Sequence, residues 1–205
     1  MTDNSLIPIS DAQAEMATEA LKALRGVGSF LSEALGSTPA DLVAYLGGDW
    51  LRVRRAENLA RMMAEAKERL EQRGVHDAPP APLSIALPLL QAAADEDRDE
   101  LRSLWASLLA AAMDPARTQH FRQSFIETVR KMDPQDGPAL QQVAMAQGNK
   151  MDRGKLSAVQ KSTGLSLHEL LLSFQHLSEL KIVDDRPTDY LLTIYGMEFL
   201  KAVQD

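Results

Sequence analysis

The sequence contains no cysteine among its 205 residues. Disulfides, thiolate nucleophiles and cysteine-ligated zinc sites are therefore excluded. Basic residues are also in short supply, because 22 Lys and Arg stand against 29 Asp and Glu, for a formal net charge of -7. This balance argues against a general binder of nucleic acid, since phosphate contacts need a surface that is at least locally positive.

Long apolar runs are missing as well. The longest stretch without a charged residue is Ala78–Ala94, and it carries Pro79, Pro80, Pro82 and Pro88. It is too short for a helix that spans a bilayer, which needs about 20 predominantly apolar residues. The segment 1–10 has no basic residue ahead of an apolar core, as a secretory signal would. We therefore expect a cytoplasmic protein without a membrane span.

Catalytic motifs are absent too. The sequence has no HExxH motif, no glycine-rich phosphate loop and no GxSxG motif. Its four histidines are scattered, and His168 and His176 are too widely spaced for both to bind one ion from one helix face. The acidic pairs occur at predicted helix starts and in charge ladders, which explain them without a metal. We expect no enzymatic activity, no cofactor and no metal ion.

What the sequence does have is apolar residues at helical spacing. The strongest such pattern predicts a helix over Asp49–Arg73. Its buried face is formed by Val53, Ala56, Leu59, Met63, Ala66 and Leu70. A ladder of alternating charges at one-turn spacing predicts a solvated face, formed by Glu57, Arg61, Glu65 and Arg69.

Similar spacing predicts further helices on both sides of this one. Pro88 would be tolerated only in the first turn of its helix, and Asp133 is predicted to cap the helix that opens at Pro134. The predicted helices are Asp11–Leu24, Phe30–Leu35, Pro39–Leu46, Ser84–Ala94, a helix through Leu101–Ala112, Phe121–Met132 and Pro134–Met145.

The composition changes near residues 147–150, and the pattern that follows is typical of a winged helix-turn-helix module. Ser166 and Glu169 form a capping box that opens its second helix. The module's predicted elements are helices Leu156–Thr163, Ser166–Leu180 and Tyr195–Val203 and strands Lys181–Asp184 and Asp189–Thr193. We predict a mostly α fold: a flexible tail (1–9), a helical bundle domain (10–147) and a winged-helix-like domain (150–205) with one β-hairpin.

A winged helix raises the question of DNA binding. The second helix of the module begins with His, Glu and three leucines after Leu167 and carries no Arg or Lys. A DNA-reading helix usually presents such basic residues to phosphates and base edges. This disfavours DNA as a partner. In the alternative of a DNA-binding regulator, Lys155 and Lys161 would contact phosphates, with His168 and Gln175 nearer the bases.

The helix predicted at Phe30–Leu35 is a second candidate contact surface. Phe30, Leu31 and Leu35 could pack in the core, against a second copy of the chain or against another protein. A membrane-acting toxic effector is a further alternative that would use this segment. The segment lacks the basic face that interfacial helices usually have, which disfavours a membrane.

Several segments resemble the Abi-alpha family, bacterial and phage-borne proteins named for abortive infection. They are Leu87-Pro88-Leu89-Leu90, Glu100-Leu101, Leu104-Trp105-Ala106-Ser107-Leu108-Leu109-Ala110, Met113-Asp114-Pro115, Phe125-Ile126, Met132-Asp133-Pro134-Gln135-Asp136 and the tail Leu192-Thr193-Ile194-Tyr195-Gly196. Gly137-Pro138 departs from the family's pattern, which leaves the start of that helix open. The resemblance implies a helical protein linked to phage defence or phage–host conflict, and it carries over no active-site residues.

Together these observations predict a non-enzymatic protein-interaction factor in phage defence. The expected partner is a protein from the host or the phage, or a second copy of the chain.

Overall fold

The computed structural model describes residues 11–35, 46 and 51–204. Within them the fold is mostly helical, as predicted, with one small sheet near the C-terminus. The helices are α1 (Asp11–Leu24), α2 (Gly28–Leu35), α3 (Arg52–Gln72), α4 (Leu83–Ala94), α5 (Asp99–Met113), α6 (Ser124–Lys131), α7 (Asp136–Met145), α8 (Leu156–Thr163), α9 (Leu167–Glu179) and α10 (Ile194–Val203). The strands are β1 (Lys150–Asp152), β2 (Val183–Asp185) and β3 (Asp189–Leu192).

Two predictions fall largely on residues that the structure does not describe. The tail at residues 1–9 lies outside the described residues, as does the helix predicted from Pro39, apart from Leu46. In the described chain the α1 prediction is confirmed at both ends, and α2 begins shortly before the predicted Phe30.

Helix α5 is the centre of the first region. It packs against α3, α4, α6 and α10, and its side chains are buried nearly all round, including Trp105, Leu108 and Leu109. A helix that is apolar on every side is stable only when other elements cover it. Helix α3 in turn lies between α1 and α5. The predicted inner face of α3 is buried from Ala56 to Leu70, which confirms its helical spacing.

The predicted solvated ladder on α3 is confirmed in its first half only. Glu57 and Arg61 are exposed, whereas Glu65 and Arg69 are partly buried and reach across to α5. Glu65 accepts a 2.7 Å hydrogen bond from Arg102, and Arg69 donates to the hydroxyl of Ser103 at 2.7 Å. The closeness of two packed helices makes these contacts available, and a single-helix pattern contains no information about them.

Two predicted helix starts are also corrected. Pro88 lies inside α4, which begins at Leu83, so it is beyond the first turn. Burial of Ala86, Leu89 and Leu90 against the core maintains the helix although Pro88 has no N–H to donate.

Helix α7 begins at Asp136, shortly after the predicted Pro134. Asp133 does not cap it with its side chain; its backbone N–H instead donates to the Asp136 carboxylate at 2.7 Å. Gly137 and Pro138 then fall in the first turn, where a proline is tolerated because its missing N–H has no intrahelical acceptor there.

The C-terminal part is a winged helix-turn-helix module with elements in the order α7, β1, α8, α9, β2, β3. Its antiparallel sheet has the strand order β1–β3–β2. Tyr190 in the central strand pairs with Met151 on one side and Asp185 on the other. The sequence predicted the β2–β3 hairpin but not β1, which is too short to form an alternating pattern.

Helix α7 packs against α8, α9, β1 and β3, so it forms part of the same packing unit as the module. The domain division predicted at residues 147–150 stays a prediction. Helix α10 follows the β2–β3 hairpin, which is the wing of the module, and packs back onto α5. This contact joins the module to the first region. None of the helices in the described chain is both long and apolar enough to cross a membrane.

The capping box of α9 is present as predicted. The Ser166 hydroxyl accepts from the N–H of Glu169 at 3.3 Å, and the Glu169 carboxylate accepts from the N–H of Ser166 at 2.7 Å. We expect Ser166→Ala to lower the free energy of unfolding by about 1 kcal/mol, because the cap's hydrogen bonds are lost or weakened. Urea unfolding measures this, with Ser157→Ala on the exposed surface of α8 as the control; equal losses in both variants would contradict the cap's role.

Glu96, between α4 and α5, is a buried carboxylate held by Arg98. It is 8% exposed and accepts from the Arg98 side chain at 2.8 and 3.0 Å. Burial by itself would raise the pKa of Glu96, but the hydrogen bonds and the charge of Arg98 outweigh it and hold that pKa below its usual value. The ionised form therefore stabilises the fold above the pKa of the unfolded chain, about 4.3.

This contribution is lost as the pH falls from about 4.3 through the lower pKa of the folded state. We expect Glu96→Gln to lower the free energy of unfolding at pH 7. Below about pH 4 the difference in this free energy between the variant and the unchanged protein should become smaller. Urea midpoints at the two pH values measure both effects, with the exposed Glu100→Gln as the control. A difference in urea midpoint that stays constant across this pH range would contradict the stabilising role of ionised Glu96.

Candidate functional site

The second helix of the module, α9, presents a mixed apolar and polar surface to solvent. Its exposed side is formed by His168, Leu171, Leu172, Gln175 and Glu179, which we call the α9 face. Leu172 is 66% exposed and Leu171 is 37% exposed. Leu167, at the first turn, is 40% exposed and borders this face. Two adjacent exposed leucines on a helix that is otherwise well packed indicate a surface that could bind an apolar partner.

The opposite side of α9 anchors the helix and fixes the orientation of the α9 face. Leu170, Phe174 and Leu177 are fully buried. The Phe174 ring stacks on Tyr190 of the central strand with centroids 3.9 Å apart. The capping box fixes where the helix begins, and the sheet fixes its rotation. Leu171 and Leu172 remain exposed because α9 packs against the core through its other apolar side.

The wing is electrically neutralised by its own carboxylates. Arg153 pairs with Asp185, and its guanidinium lies 4.2 Å from the centre of the Tyr190 ring. Arg186 at the hairpin turn donates to Asp184 at 2.9 Å. A wing that contacts phosphates needs arginines or lysines available to the backbone of the duplex. Here Arg186 and Arg153, which follows β1, both pair with carboxylates of the wing.

The four residues of the DNA-binding alternative are all exposed. Lys155 and Lys161 lie at the start and within the last turn of α8, while His168 and Gln175 share the α9 face. The Gln175 amide donates to Glu179 at 3.1 Å. The structure therefore brings the two proposed base-contacting residues together on one helix, alongside leucines and a glutamate rather than basic side chains.

The second predicted contact surface lies mostly inside the protein. Phe30 is 3% exposed and Leu31 is fully buried, and α2 packs against α3 and α4. The side chain of Leu35 is outside the described part of the chain. Phe30 and Leu31 therefore pack in the core of their own chain.

A polar cluster that sequence reasoning did not find lies beside the α9 face. Asp133, Asp136 and His176 line a cleft of about 320 Å³ between the start of α7 and the third turn of α9. Nδ1 of His176 lies 2.8 Å from the Asp136 carboxylate and 3.9 Å from that of Asp133. Burial raises the pKa of Asp136, against the lowering effect of the Asp133 N–H and His176. No local signal could have found this cluster, because Asp136 and His176 are distant in sequence and belong to different helices.

Comparison with known proteins relates the chain to a family. A family model described as abortive infection alpha matches residues 54–199, from α3 to the middle of α10. No curated protein and no solved structure matches the chain. The matched region covers more than half of the chain and includes both the central helix α5 and the whole winged-helix module. The chain therefore belongs to the abortive infection alpha family.

Proposed function

We propose that the chain is a non-enzymatic protein-interaction factor whose role in abortive infection depends on the α9 face. Family membership relates the chain to abortive infection. The observation that carries the proposal is the exposed pair Leu171 and Leu172. This pair occupies the position where a DNA-reading helix would carry basic and amide side chains.

The proposed partner is a host or phage protein with an apolar patch bordered by basic residues. Apolar side chains on the partner would cover the two leucines, whose burial contributes about 25 cal/mol for each Å² removed from water. The basic border follows from charge, because helix α9 contains Glu169 and Glu179 but no Lys or Arg, and the whole chain carries a net charge of -7. Complementary charge steers such partners together and disfavours others.

Site-specific photo-crosslinking in infected cells tests this proposal. A photoreactive residue at Leu172 is expected to give one dominant heterologous adduct, and one at Leu83, an exposed leucine on α4, is expected not to. Mass spectrometry then identifies the partner. An adduct formed only with a second copy of the chain would show self-association and contradict a host or phage partner. The absence of any adduct at Leu172 would refute the proposal.

The competing hypothesis is a DNA-binding regulator, which the winged-helix topology favours. An electrophoretic shift at low salt decides between the two. We expect no sequence-specific shift, because the wing arginines pair with Asp184 and Asp185. Tight, salt-sensitive binding to one sequence, lost in Lys155→Ala/Lys161→Ala, would favour the regulator. Leakage from anionic vesicles is the corresponding test of the membrane-effector alternative.

A further inference from the structure

Three potential metal-binding side chains converge at the junction of α7 and α9. Asp133 precedes α7, Asp136 is its first residue, and His176 lies on α9. One carboxylate oxygen of each aspartate and one ring nitrogen of His176 lie within 4.8 Å of one another. This is one nitrogen and two oxygen donors, contributed by two separate elements of the fold.

Asp136 supplies an independent observation that favours a bound cation. The residue is only 1% exposed. Its Oδ2 accepts from the N–H of Asp133 and lies within hydrogen-bond distance of His176. Its Oδ1 is buried and has no hydrogen-bond partner in the part of the chain that the structure describes. An unpaired buried carboxylate oxygen is costly, and a bound cation would remove that cost.

The cleft beside the three residues has room for an ion and its remaining ligands. Its volume is about 320 Å³, much larger than a single water molecule needs. Asp133 is 66% exposed at its side chain, and its Oδ1 lies 3.8 Å from a guanidinium nitrogen of Arg98. Around Zn²⁺ at about 2.1 Å from each donor, tetrahedral geometry places the donors roughly 3.4 Å apart. The present separations therefore require only small side-chain movements.

We propose that Asp133, Asp136 and His176 bind a divalent transition-metal ion of the Zn²⁺ type. The imidazole nitrogen distinguishes this site from a Mg²⁺ or Ca²⁺ site, since those ions prefer oxygen ligands only. Three protein ligands leave a fourth position for water from the cleft. On binding, the ion takes the place of any proton on Nδ1 of His176, and that proton passes to solvent.

The bound ion would link the start of α7 to α9. The sequence predicts no metal because each of the three residues has an ordinary local explanation; only the fold brings them together. Leu172 lines the same cleft, so the ion would lie next to the α9 face. Metal binding does not depend on the proposed partner, and its test uses the isolated chain.

Calorimetry and thermal unfolding of the full chain, after treatment with a chelator, test the site. We expect one Zn²⁺ per chain and, at a concentration roughly one hundred times Kd, a rise in Tm of about 5 to 10 °C. Mg²⁺ at the same concentration is expected to give no rise. Absence of heat and of any Tm shift with Zn²⁺ would refute the proposal, as would an equal response to Mg²⁺.

Matched variants show whether the ion binds at these residues. His176→Gln and Asp133→Asn are expected to weaken Zn²⁺ binding at least about tenfold, the loss that even a supporting residue of a metal site produces. His168→Gln, an exposed histidine on the same helix, is the control and should bind as the unchanged chain does. Asp133→Asn is expected to keep its fold, because that side chain is largely exposed. Unchanged affinity in both ligand variants would show that the ion binds elsewhere and would overturn the proposal.

Discussion

Gly196→Ala is expected to lower the free energy of unfolding by about 3 kcal/mol or more. A Cβ atom on residue 196 would lie 2.1 Å from the carbonyl oxygen of Ile182 and 3.0 Å from its carbonyl carbon. Both are backbone atoms that cannot rotate away. Helix α10 would therefore have to separate from the segment that leads into β2.

The neighbouring hydrogen bonds explain why α10 must approach so closely. The N–H of Thr193 donates to the carbonyl of Ile182 at 3.0 Å. The Thr193 hydroxyl donates to the carbonyl of Lys181 at 2.5 Å and accepts from the N–H of Gly196 at 2.9 Å. The Leu-Thr-x-x-Gly sequence thus combines a helix cap, a bond to the chain before the wing, and a residue without a side chain at the contact.

Urea unfolding of Gly196→Ala beside Gly26→Ala measures this effect. Gly26 is exposed in the short turn between α1 and α2, and a Cβ atom on it would meet nothing within 4 Å among the described residues outside its two chain neighbours. That change should leave stability unchanged or raise it by up to about 1 kcal/mol. Similar unfolding midpoints for the two variants would contradict the close contact at Ile182.

Trp105→Ala is the second change with a large expected effect, a loss of about 3 to 5 kcal/mol. Trp105 is 1% exposed and is among the largest fully buried side chains of the described residues. It lies on α5, the helix against which α3, α4, α6 and α10 pack. Removing the indole leaves a cavity that these helices cannot easily close. Because typical domains are stable by only about 5 to 15 kcal/mol, the variant would have lost a large share of its stability.

Trp105→Phe is the matched control because it keeps an aromatic ring in the same place. Its loss should be clearly smaller, since it gives up only part of the buried area and a weak contact from the indole N–H to Glu96 at 3.5 Å. Denaturant unfolding followed by circular dichroism measures both variants. A loss below about 1.5 kcal/mol for the alanine variant would contradict the central position of α5.

The sequence predicts best those elements whose signals are local. Helices α1 and α8 have the predicted bounds. Gly164 ends α8 with a φ of +74°, which glycine adopts readily. The capping box at Ser166 and Glu169 is also a short-range pattern, and it is confirmed. In each case the residues that determine the boundary lie within a few positions of it.

Features that depend on distant residues could not be predicted in this way. Pro88 remains inside α4 because the core covers the surrounding residues, and Glu65 pairs with Arg102 because α3 and α5 are adjacent. The cluster of Asp136 and His176 joins two helices that are far apart in sequence. Single-sequence patterns describe one element at a time, whereas these features arise between elements.

The central claim is that the α9 face, and not a nucleic-acid surface, carries the function. The most direct measurement compares phage yield and survival of infected cells that express the unchanged chain, Leu171→Ser/Leu172→Ser or Lys155→Ala/Lys161→Ala, with Leu83→Ser as the surface control. We predict that the double leucine variant loses the effect on infection but keeps its thermal stability. The double lysine variant and Leu83→Ser are predicted to keep the effect on infection. If the double lysine variant lost the effect on infection and the double leucine variant kept it, the account would be contradicted.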